Sequence, residues 1–297
     1  MRQFIFLILA LILFRENSEA QLKVTAAVAG DKIDFMVNGV LFTSYIMSEY
    51  EKYPFFSPVN GPSGASVTSL RNGNYPHHSS LFFGCDRVNG GNYWQEGADR
   101  GRIVSLRADI VESGGDRAVV SNECIWTRPG AESPVRDKRR ITVFAPSPDK
   151  YIIDFDIILE MLDEVTIEKT NHSLFSCRVD PDLSVKGGGT MINSEGMKGE
   201  KLTFGKRSAW IDYYGERFGK TEGVAILQHP SCKWYPAPWF TRDYGFISPT
   251  PMYWPENDRD LTLDKGELVK LRYRVIVHSG DHLTAGIEEE FVKYKSE

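Results

Sequence analysis

Alternation of apolar and polar side chains with a period of two is the strongest structural signal in this sequence. From Val269 to Val277 every second residue is apolar, and lysine or arginine stands between several of them. Ile33, Phe35 and Val37 repeat the pattern near the N-terminus. Such alternation is typical of half-buried antiparallel strands. Further strand-like runs are Ile103 to Val111, Ala118 to Trp126, Ile141 to Phe144, Tyr151 to Ile158, Val165 to Lys169 and Gly223 to Leu227.

Turn signals separate these runs. Asn38-Gly39, Asn72-Gly73 and Gly114-Gly115 are pairs that favour tight reversals of the chain. No alternating strand and helix pattern, internal repeat or low-complexity linker divides the sequence. The sequence therefore predicts an all-β fold, a large antiparallel β-sandwich or a barrel-like pair of sheets, formed by residues 21–297 as one domain.

Two segments depart from the strand pattern. Helical periodicity occurs only near the end, where Asp281 is expected to cap a short C-terminal helix. The apolar stripe of that helix consists of Leu283, Ile287, Phe291 and Tyr294. Residues 129–140, with the sequence PGAESPVRDKRR, lack an apolar alternation. They are expected to form a surface loop between strands.

The first residues, MRQFIFLILALILFRENSEA, have the features of a secretory signal peptide. Arg2 precedes an apolar run from Phe4 to Phe14, and Ser18-Glu19-Ala20 fits a cleavage site. The run is shorter than the roughly 20 residues that a spanning helix needs. We expect cleavage after Ala20 and a secreted or periplasmic protein without a membrane span; an uncleaved anchor is the alternative.

Charge and cysteine content narrow the class further. The formal net charge is -5, and the scattered lysines and arginines form no basic stripe for nucleic acid. The four cysteines, Cys85, Cys124, Cys177 and Cys232, are widely spaced and contain no C-x-x-C motif. Disulfides are compatible with an extracytoplasmic protein, but the spacing does not choose a pairing, and buried free thiols are equally compatible.

Histidines at predicted strand ends are candidates for catalysis. His77 and His78 follow Pro76 and precede an apolar run, and His229 ends a strand just before Pro230. Because histidine titrates near neutral pH, these residues suit acid/base catalysis, and they would suit a divalent metal if they converged with a carboxylate. A structural, hydrogen-bonded histidine pair is the alternative. We expect at least one of His77 and His78 to lie within about 8 Å of His229, beside Arg178 or Arg242.

Aromatic residues in polar loops suggest a ligand cleft. Trp94 and Trp239 lie in such loops, where they either stack on sugar rings or pack the ends of the sandwich. Glu96, Glu195 and Asp212 are carboxylates near these loops, and glycoside hydrolysis normally needs two carboxyl groups. Glu195 lies in a turn, where a solvated carboxylate is the alternative to a catalytic one. Arg178 suits either ligand orientation or a surface ion pair.

The order of motifs resembles the PmoA-like family of secreted bacterial proteins. The resemblance begins near Pro54 and extends to the C-terminus. The motifs are PFFSPVNGPSGASVT, YPHHSSLFFG, DRVNGGNYW, GGGTMINSEG, SAWIDYYG, GVAILQHP, PWFTRDYG and LVKLRYRVIVHSG. The name refers to a methane monooxygenase subunit, a membrane-embedded copper protein, which does not fit a chain without a spanning helix after its leader. The β pattern is similar to the galactose-mutarotase-like supersandwich.

The resemblance implies a set of polar site residues. Two positions depart from the family pattern, since Asn74 stands where the pattern has an acidic residue and Phe240 where it has a histidine. These departures weaken any metal site or proton relay built on those positions. The residues that match the pattern are His77, His78, Arg178, Glu195, Asp212, His229, Trp239, Arg242 and Tyr244.

Two functions of different classes fit these residues. In the first, the chain is an enzyme acting on a saccharide as a hydrolase, lyase or epimerase. The catalytic residues are then His77, His78, His229 and Glu195, and the substrate-binding residues are Arg178, Arg242, Trp94, Trp239, Tyr244 and Asp212. In the second, the chain binds carbohydrate without catalysis. A structural or cell-surface interaction protein is a third class.

Overall fold

The computed structural model describes residues 22–297, which form 18 strands and 2 short α-helices. The predicted signal peptide, residues 1–20, lies outside the described residues. The strands are β1 Val24–Ala29, β2 Lys32–Val37, β3 Val40–Ile46, β4 Phe55–Val59, β5 Leu81–Cys85, β6 Arg102–Glu112, β7 Arg117–Thr127, β8 Val135–Ser147, β9 Lys150–Met161, β10 Val165–Ile167, β11 Ser173–Arg178, β12 Thr190–Asn193, β13 Trp210–Arg217, β14 Lys220–Gln228, β15 Trp239–Arg242, β16 Phe246–Pro249, β17 Leu261–Leu263 and β18 Leu268–Ser279. The helices are α1 Glu200–Thr203 and α2 Ile287–Tyr294.

Two antiparallel sheets of eight strands each make up most of the fold. The first sheet has the order β1-β2-β3-β4-β5-β11-β16-β15, and the second has the order β12-β13-β14-β18-β9-β8-β7-β6. A small third sheet pairs β10 with β17. The predicted all-β fold, an antiparallel β-sandwich with a short C-terminal helix, is confirmed.

The main core lies between the two large sheets. Phe175 of the first sheet stacks between Phe155 and Tyr273 of the second, with ring centroids 4.8 and 5.0 Å away. Phe83 of the neighbouring strand β5 also faces Phe155, at 6.0 Å. Since side chains alternate along a strand, Phe82 of β5 lies on the opposite, outer face of the first sheet.

The C-terminal helix covers the outer face of the second sheet. Ile287, Phe291 and Tyr294 are buried there against a second apolar cluster, as the sequence predicts. The predicted start of the helix is wrong, because Gly286 and not Asp281 precedes its first turn. Asp281 instead closes a turn by accepting a hydrogen bond from the Thr284 backbone N–H at 2.8 Å, and Leu283 is 75% exposed.

The segment 129–140 is a loop only in its first part. Strand β8 begins at Val135, and every second one of its first residues points into the core. Two of these inward residues are charged, because Asp137 and Arg139 form a buried ion pair of 2.7 Å. Charged residues at core positions hide the apolar alternation, so the loop prediction is wrong for residues 135–140.

All four cysteines are buried and free, so no disulfide joins them. Burial raises the pKa of the Cys177 thiol to about 12 and that of Cys232 to about 11, which keeps both thiols protonated. Within residues 22–297, no helix has the length and apolarity to cross a membrane.

Candidate functional site

An aromatic cavity of about 400 Å³ lies on the outer face of the first sheet. Phe246 of β16 forms its floor, and its cross-strand partner in β11 is Arg178. The loop before β5 and the loop after it supply two walls. The lining residues are Asn74, Tyr75, His77, His78, Trp94, Gln95, His172, Phe240, Arg242, Tyr244 and Phe246.

The two adjacent histidines have different environments. His78 is 3% exposed and lies between Tyr75 and Phe246, with ring centroids 5.0 and 4.5 Å away. Burial, helped by the nearby His77 and Arg178, lowers the pKa of His78 to about 2. His78 is therefore neutral at physiological pH, and as a buried, uncharged ring it is a poor acid/base catalyst.

His77 is half-buried and faces the cavity. Its ring lies 4.5 Å from that of His78 and 5.6 Å from that of Trp94, between centroids. Burial and the neighbouring His172 lower its pKa. A neutral imidazole with partial exposure can accept a proton from a ligand, and the acid/base role of His77 stays a prediction.

His172 and Asp86 form a hydrogen-bonded pair at the edge of the cavity. Asp86 Oδ2 lies 2.9 Å from His172 Nδ1, and the imidazole stacks on Trp94 with centroids 4.7 Å apart. Asp86 is 3% exposed, and its Oδ1 is buried without a hydrogen-bond partner. When Nδ1–H donates to this carboxylate, Nε2 is left as a proton acceptor.

The sequence analysis missed the pair of Asp86 and His172. The register of the first sheet places Ser173 opposite Cys85, so that the residues on either side, His172 and Asp86, are neighbours. Their backbones are joined as well, because the Asp86 N–H donates to the His172 carbonyl at 3.0 Å. Only knowledge of this strand pairing reveals the pair in the sequence.

His172 lies between two cavities. A second, polar cavity of about 330 Å³ shares Gln95 and His172 with the aromatic one. Its other walls include Asp86, Glu96 and Asn171. A ligand with two linked units therefore has room on both sides of the His172 ring.

Of the arginines and the tyrosine predicted from the sequence, Arg242 and Tyr244 line the aromatic cavity and Arg178 does not. Arg242 reaches it from β15, and Arg242 Nη1 donates to Glu200 Oε1 at 3.0 Å. The Tyr244 ring stacks on that of Tyr75 at 4.3 Å, and burial raises the pKa of Tyr244 to about 12. Arg178 lies behind these two tyrosines, with its guanidinium carbon 5.0 Å from the centroid of Tyr75 and 4.8 Å from that of Tyr244.

Of the two predicted tryptophans, only Trp94 lies at the cavity. Trp239 is fully buried, and its Nε1–H donates to the Ser208 carbonyl at 2.9 Å. Alternation along β15 turns Phe240 and Arg242 toward the cavity and Trp239 away from it. Trp239 is therefore a packing residue, and Phe240 takes the position in the wall.

His229 does not share a site with the His77 and His78 pair, so that expectation is wrong. His229 Nε2 lies 2.9 Å from Arg272 Nη1, and its ring packs edge-on against Tyr294 of α2 at 5.0 Å. These contacts belong to the second sheet and its helix, whereas His77 and His78 lie on the first sheet. Burial and Arg272 lower the pKa of His229, as suits a structural residue.

The two predicted carboxylates also lie outside the cavity lining. Glu195 is exposed in the turn after β12, where its Oε1 accepts from Ser194 Oγ at 2.7 Å. Asp212 is fully buried in the second sheet, with its Oδ1 3.0 Å from His278 Nε2. Burial lowers the pKa of His278, but the Asp212 carboxylate outweighs it, and the net shift is upward. Asp212 thus serves a buried polar pair.

Metal ligands do not converge in the described part of the chain. Residues 22–297 contain no group of three or more histidine, cysteine, aspartate or glutamate side chains with the geometry to hold an ion. The larger cavities carry no comparable cluster of histidines. In the largest, of about 770 Å³, the charged residues Asp154, Arg274 and Glu297 are paired with one another.

Comparison with known proteins gives a family and a weak structural likeness. A search of curated proteins found no match. Among solved structures, the crystal structure of a GalM/aldose epimerase homologue from C. elegans aligns with 87% of this chain and 99% of its own, at 7% identity and a TM-score of 0.34. We base no argument on that likeness.

The family match covers most of the chain. A family described as "Family of unknown function (DUF6807)" matches residues 32–292. The description carries no activity, and the resemblance to the PmoA-like family stays a prediction. The matched region includes the aromatic cavity, the pair of Asp86 and His172, and both large sheets except strand β1. The chain therefore belongs to the DUF6807 family of unknown function.

Proposed function

We propose that the aromatic cavity binds a saccharide and that His172, held by Asp86, and His77 exchange protons with it. The observation that carries the proposal is the pair of Asp86 and His172 at the junction of the two cavities. A buried carboxylate bound to Nδ1 orients the ring and leaves Nε2 toward the ligand space as a proton acceptor, which is what a general base needs.

The composition of the cavity supports a sugar as the ligand. Trp94, Phe246, Phe240 and Tyr244 provide apolar surfaces on which the C–H face of a sugar ring can stack. Asn74 and Gln95 provide amide groups that can bind hydroxyls. A volume of about 400 Å³ suits one or two sugar units in the aromatic part.

The ionisable residues favour proton transfer at carbon over hydrolysis. Glycoside hydrolysis normally uses two carboxyl groups on either side of the bond. The lining of the aromatic cavity contains no carboxylate. In the adjoining polar cavity, Asp86 is bound to His172 and Glu96 to Arg100, which leaves Glu168 as the third carboxylate there. Two histidines at this site support an epimerase or lyase more directly than a hydrolase.

Binding without catalysis is the second candidate. It is favoured by the state of His78, which is buried and neutral with a pKa of about 2, so that half of the histidine pair only packs. In this alternative the stacked aromatic residues bind a glycan, and His172 acts as a hydrogen-bond donor or acceptor to a hydroxyl.

Two variants separate the candidates. Purified protein is incubated with a panel of oligosaccharides, binding is measured by titration calorimetry, and products are detected by proton NMR. We expect His172→Ala to abolish product formation while the dissociation constant changes by less than about tenfold, and Trp94→Ala to weaken binding itself. His282→Ala, which alters a histidine beside Tyr214 on the other sheet, is the matched control.

Each outcome decides between the candidates. Binding without product from any member of the panel supports the binding protein. If no member binds, or if Trp94→Ala binds as the unaltered protein does, the proposal of a saccharide site is wrong.

A further inference from the structure

Arg178 differs from the other buried arginines in its lack of a carboxylate partner. Four arginines are buried among the described residues. Three of them are paired: Arg139 with Asp137, Arg217 with Glu222, and Arg274 with Asp154. Arg178 is 4% exposed, and its described contacts include no carboxylate. Three buried arginines thus have a carboxylate at ion-pair distance and Arg178 does not, although its charge acts on the carboxylate of Asp180.

The contacts of Arg178 satisfy it only in part. Arg178 Nη1 donates to the carbonyl oxygens of Tyr244 and Gly245, and the second of these bonds is 3.2 Å long. Its Nε is buried without a hydrogen-bond partner in the described structure. A buried cation with unsatisfied donors destabilises a fold by several kcal/mol unless a counter-charge is supplied. Such a group in a native structure calls for an explanation.

The position of Arg178 relates it to the aromatic cavity. Its guanidinium carbon is nearly equidistant from the centroids of Tyr75 and Tyr244, at 5.0 and 4.8 Å, and both rings line the cavity. The guanidinium therefore lies beside the stacked pair of rings, outside the lining itself. In a medium of low dielectric constant, an unpaired charge at this distance acts strongly on a bound anion.

The cavity lining contains no negative charge that would offset Arg178. Its ionisable members are histidines, tyrosines and Arg242, and Arg242 is already paired with Glu200. The lowered pKa of His78 agrees with a positive charge nearby, because Arg178 is one of the groups that lower it. The lining of the aromatic cavity therefore includes no carboxylate, although Asp86 contacts its His172 from the adjoining polar cavity.

We infer that the ligand of this cavity is a saccharide that carries a carboxylate, that is, a uronate. The inference rests on the proposed saccharide site and names its substrate class. The sugar ring stacks on the aromatic residues, and its carboxylate lies toward Arg178 through the stack of Tyr75 and Tyr244, with Asn74 on the same side of the lining.

A carboxylate also explains what the histidines do. When the negative charge of the carboxylate is neutralised, the hydrogen on the adjacent ring carbon becomes more acidic. His172 Nε2 can then take that proton. The C–H electron pair then moves into the carbon skeleton. In one course the electron pair forms a C=C bond and expels the neighbouring glycosidic oxygen, which takes up a proton. In the other course the carbon accepts a proton on the opposite face of the ring. The first course is elimination and the second is epimerisation, and neither needs an oxidant or reductant.

The test compares one ligand with and without its charge. The probes are a uronate trisaccharide and the same trisaccharide after reduction of its carboxylates to primary alcohols, titrated into the full chain by calorimetry at low and high salt. We expect the uronate to bind at least about tenfold tighter, with a preference that shrinks at high salt. Arg178→Lys should keep the preference and Arg178→Met should lose it, while Arg207→Ala, at a separate surface groove, should keep it.

The outcomes distinguish this inference from the proposed function. If the reduced trisaccharide binds as tightly as the uronate, the inference is overturned and the saccharide site stands. Equal binding of an O-sulfated neutral trisaccharide would overturn the assignment to a carboxylate. If none of the three binds, both proposals fail. Because Arg178 is buried, the folding of its variants is checked by thermal unfolding, and the comparison of ligands on the unaltered protein decides the question where a variant does not fold.

Discussion

At the scale of single residues, burial decides which histidine of the cavity can act. His77, His78 and His172 line one cavity, but only His172 has a carboxylate at its Nδ1, and only His78 is almost wholly buried. His77 and His78 are adjacent in sequence, but one is half-buried and the other almost wholly buried. Their position in the sequence does not reveal this difference. The residue that completes the site, Asp86, is identified by contact alone.

Replacing Asp86 by asparagine should change the tautomer of His172. The carboxylate accepts a hydrogen bond from Nδ1–H. An asparagine amide can instead donate a hydrogen bond to Nδ1, which favours the tautomer with its proton on Nε2. We expect the ¹⁵N chemical shifts of the His172 ring to report this exchange, with turnover lowered by about 100-fold or more if the site is catalytic. Glu96→Gln, in the wall of the polar cavity, is the control. Unchanged shifts in Asp86→Asn would show that the carboxylate does not set the tautomer.

His78 should make the protein sensitive to acid. Its pKa is about 2 when folded and near 6.5 when unfolded, so the unfolded chain binds the additional proton once the pH falls below about 6.5. Stability is then lost as the pH falls toward 2, by up to about 1.4 kcal/mol per pH unit. His78→Phe keeps the stacking with Tyr75 and Phe246 and should flatten the curve of unfolding free energy against pH from 6.5 to 4. Parallel curves for the variant and the unaltered protein would contradict the assigned pKa.

At the scale of elements, strand β8 shows how a buried ion pair can hide a strand from sequence analysis. Asp137 accepts from Arg139 Nε at 2.7 Å and from Trp126 Nε1 at 2.8 Å, and both charged residues face the core. Tyr45 of the opposite sheet accepts a further hydrogen bond from Arg139 at 3.1 Å. The pair thus joins three strands of the sandwich where an apolar side chain would only pack.

Removing one partner of this pair should destabilise the fold strongly. Arg139→Met leaves the Asp137 carboxylate buried without its counter-charge, and we expect the free energy of unfolding to fall by about 3 to 5 kcal/mol. Arg140→Met, at the exposed next position of the same strand, should change it by less than about 0.5 kcal/mol. Chemical denaturation followed by tryptophan fluorescence measures both. A loss in Arg139→Met no larger than in Arg140→Met would show that the pair contributes nothing.

At the scale of the whole molecule, the two large sheets use their outer faces differently. The second sheet buries part of its outer face under helix α2, with Trp210 Nε1 donating to Glu288 Oε2 at 2.8 Å. The first sheet carries the aromatic cavity on its outer face. The loops on both sides of β5 and the loops before β11 and β16 surround it. The proposed ligand site therefore lies on the side of the sandwich opposite helix α2.

The leader predicted from the sequence stays a proposal with a direct test. We expect the chain, expressed with its natural N-terminus in a bacterial host, to be exported and cleaved after Ala20, so that the mature protein begins at Gln21. Intact-mass measurement and N-terminal sequencing of the periplasmic or secreted fraction check this. A chain recovered in the membrane fraction with Met1 to Ala20 still attached would support the uncleaved anchor instead.

The sequence alone determined the class of fold, because period-two alternation acts within each strand and needs no knowledge of its partners. Strands β2, β6, β7, β9, β10, β14 and β18 lie close to their predicted positions, and β8 fails only where charges occupy core positions. Strands β12, β13, β15, β16 and β17 were not predicted individually. The sequence also pointed to His77 and His78, which a proline turn before an apolar run places at a strand end, and to Trp94, an aromatic residue in a polar loop, and all three line the cavity.

Only the tertiary structure decided which of these residues meet. Strand register set Asp86 beside His172, strand parity turned Trp239 inward and Phe240 outward, and the sheet order separated His229 from the pair at His77. Register and sheet order depend on pairings between segments far apart in the chain, which local periodicity does not encode. The sequence also does not show that Arg178 lacks a bound carboxylate, because its partners depend on the same long-range pairings.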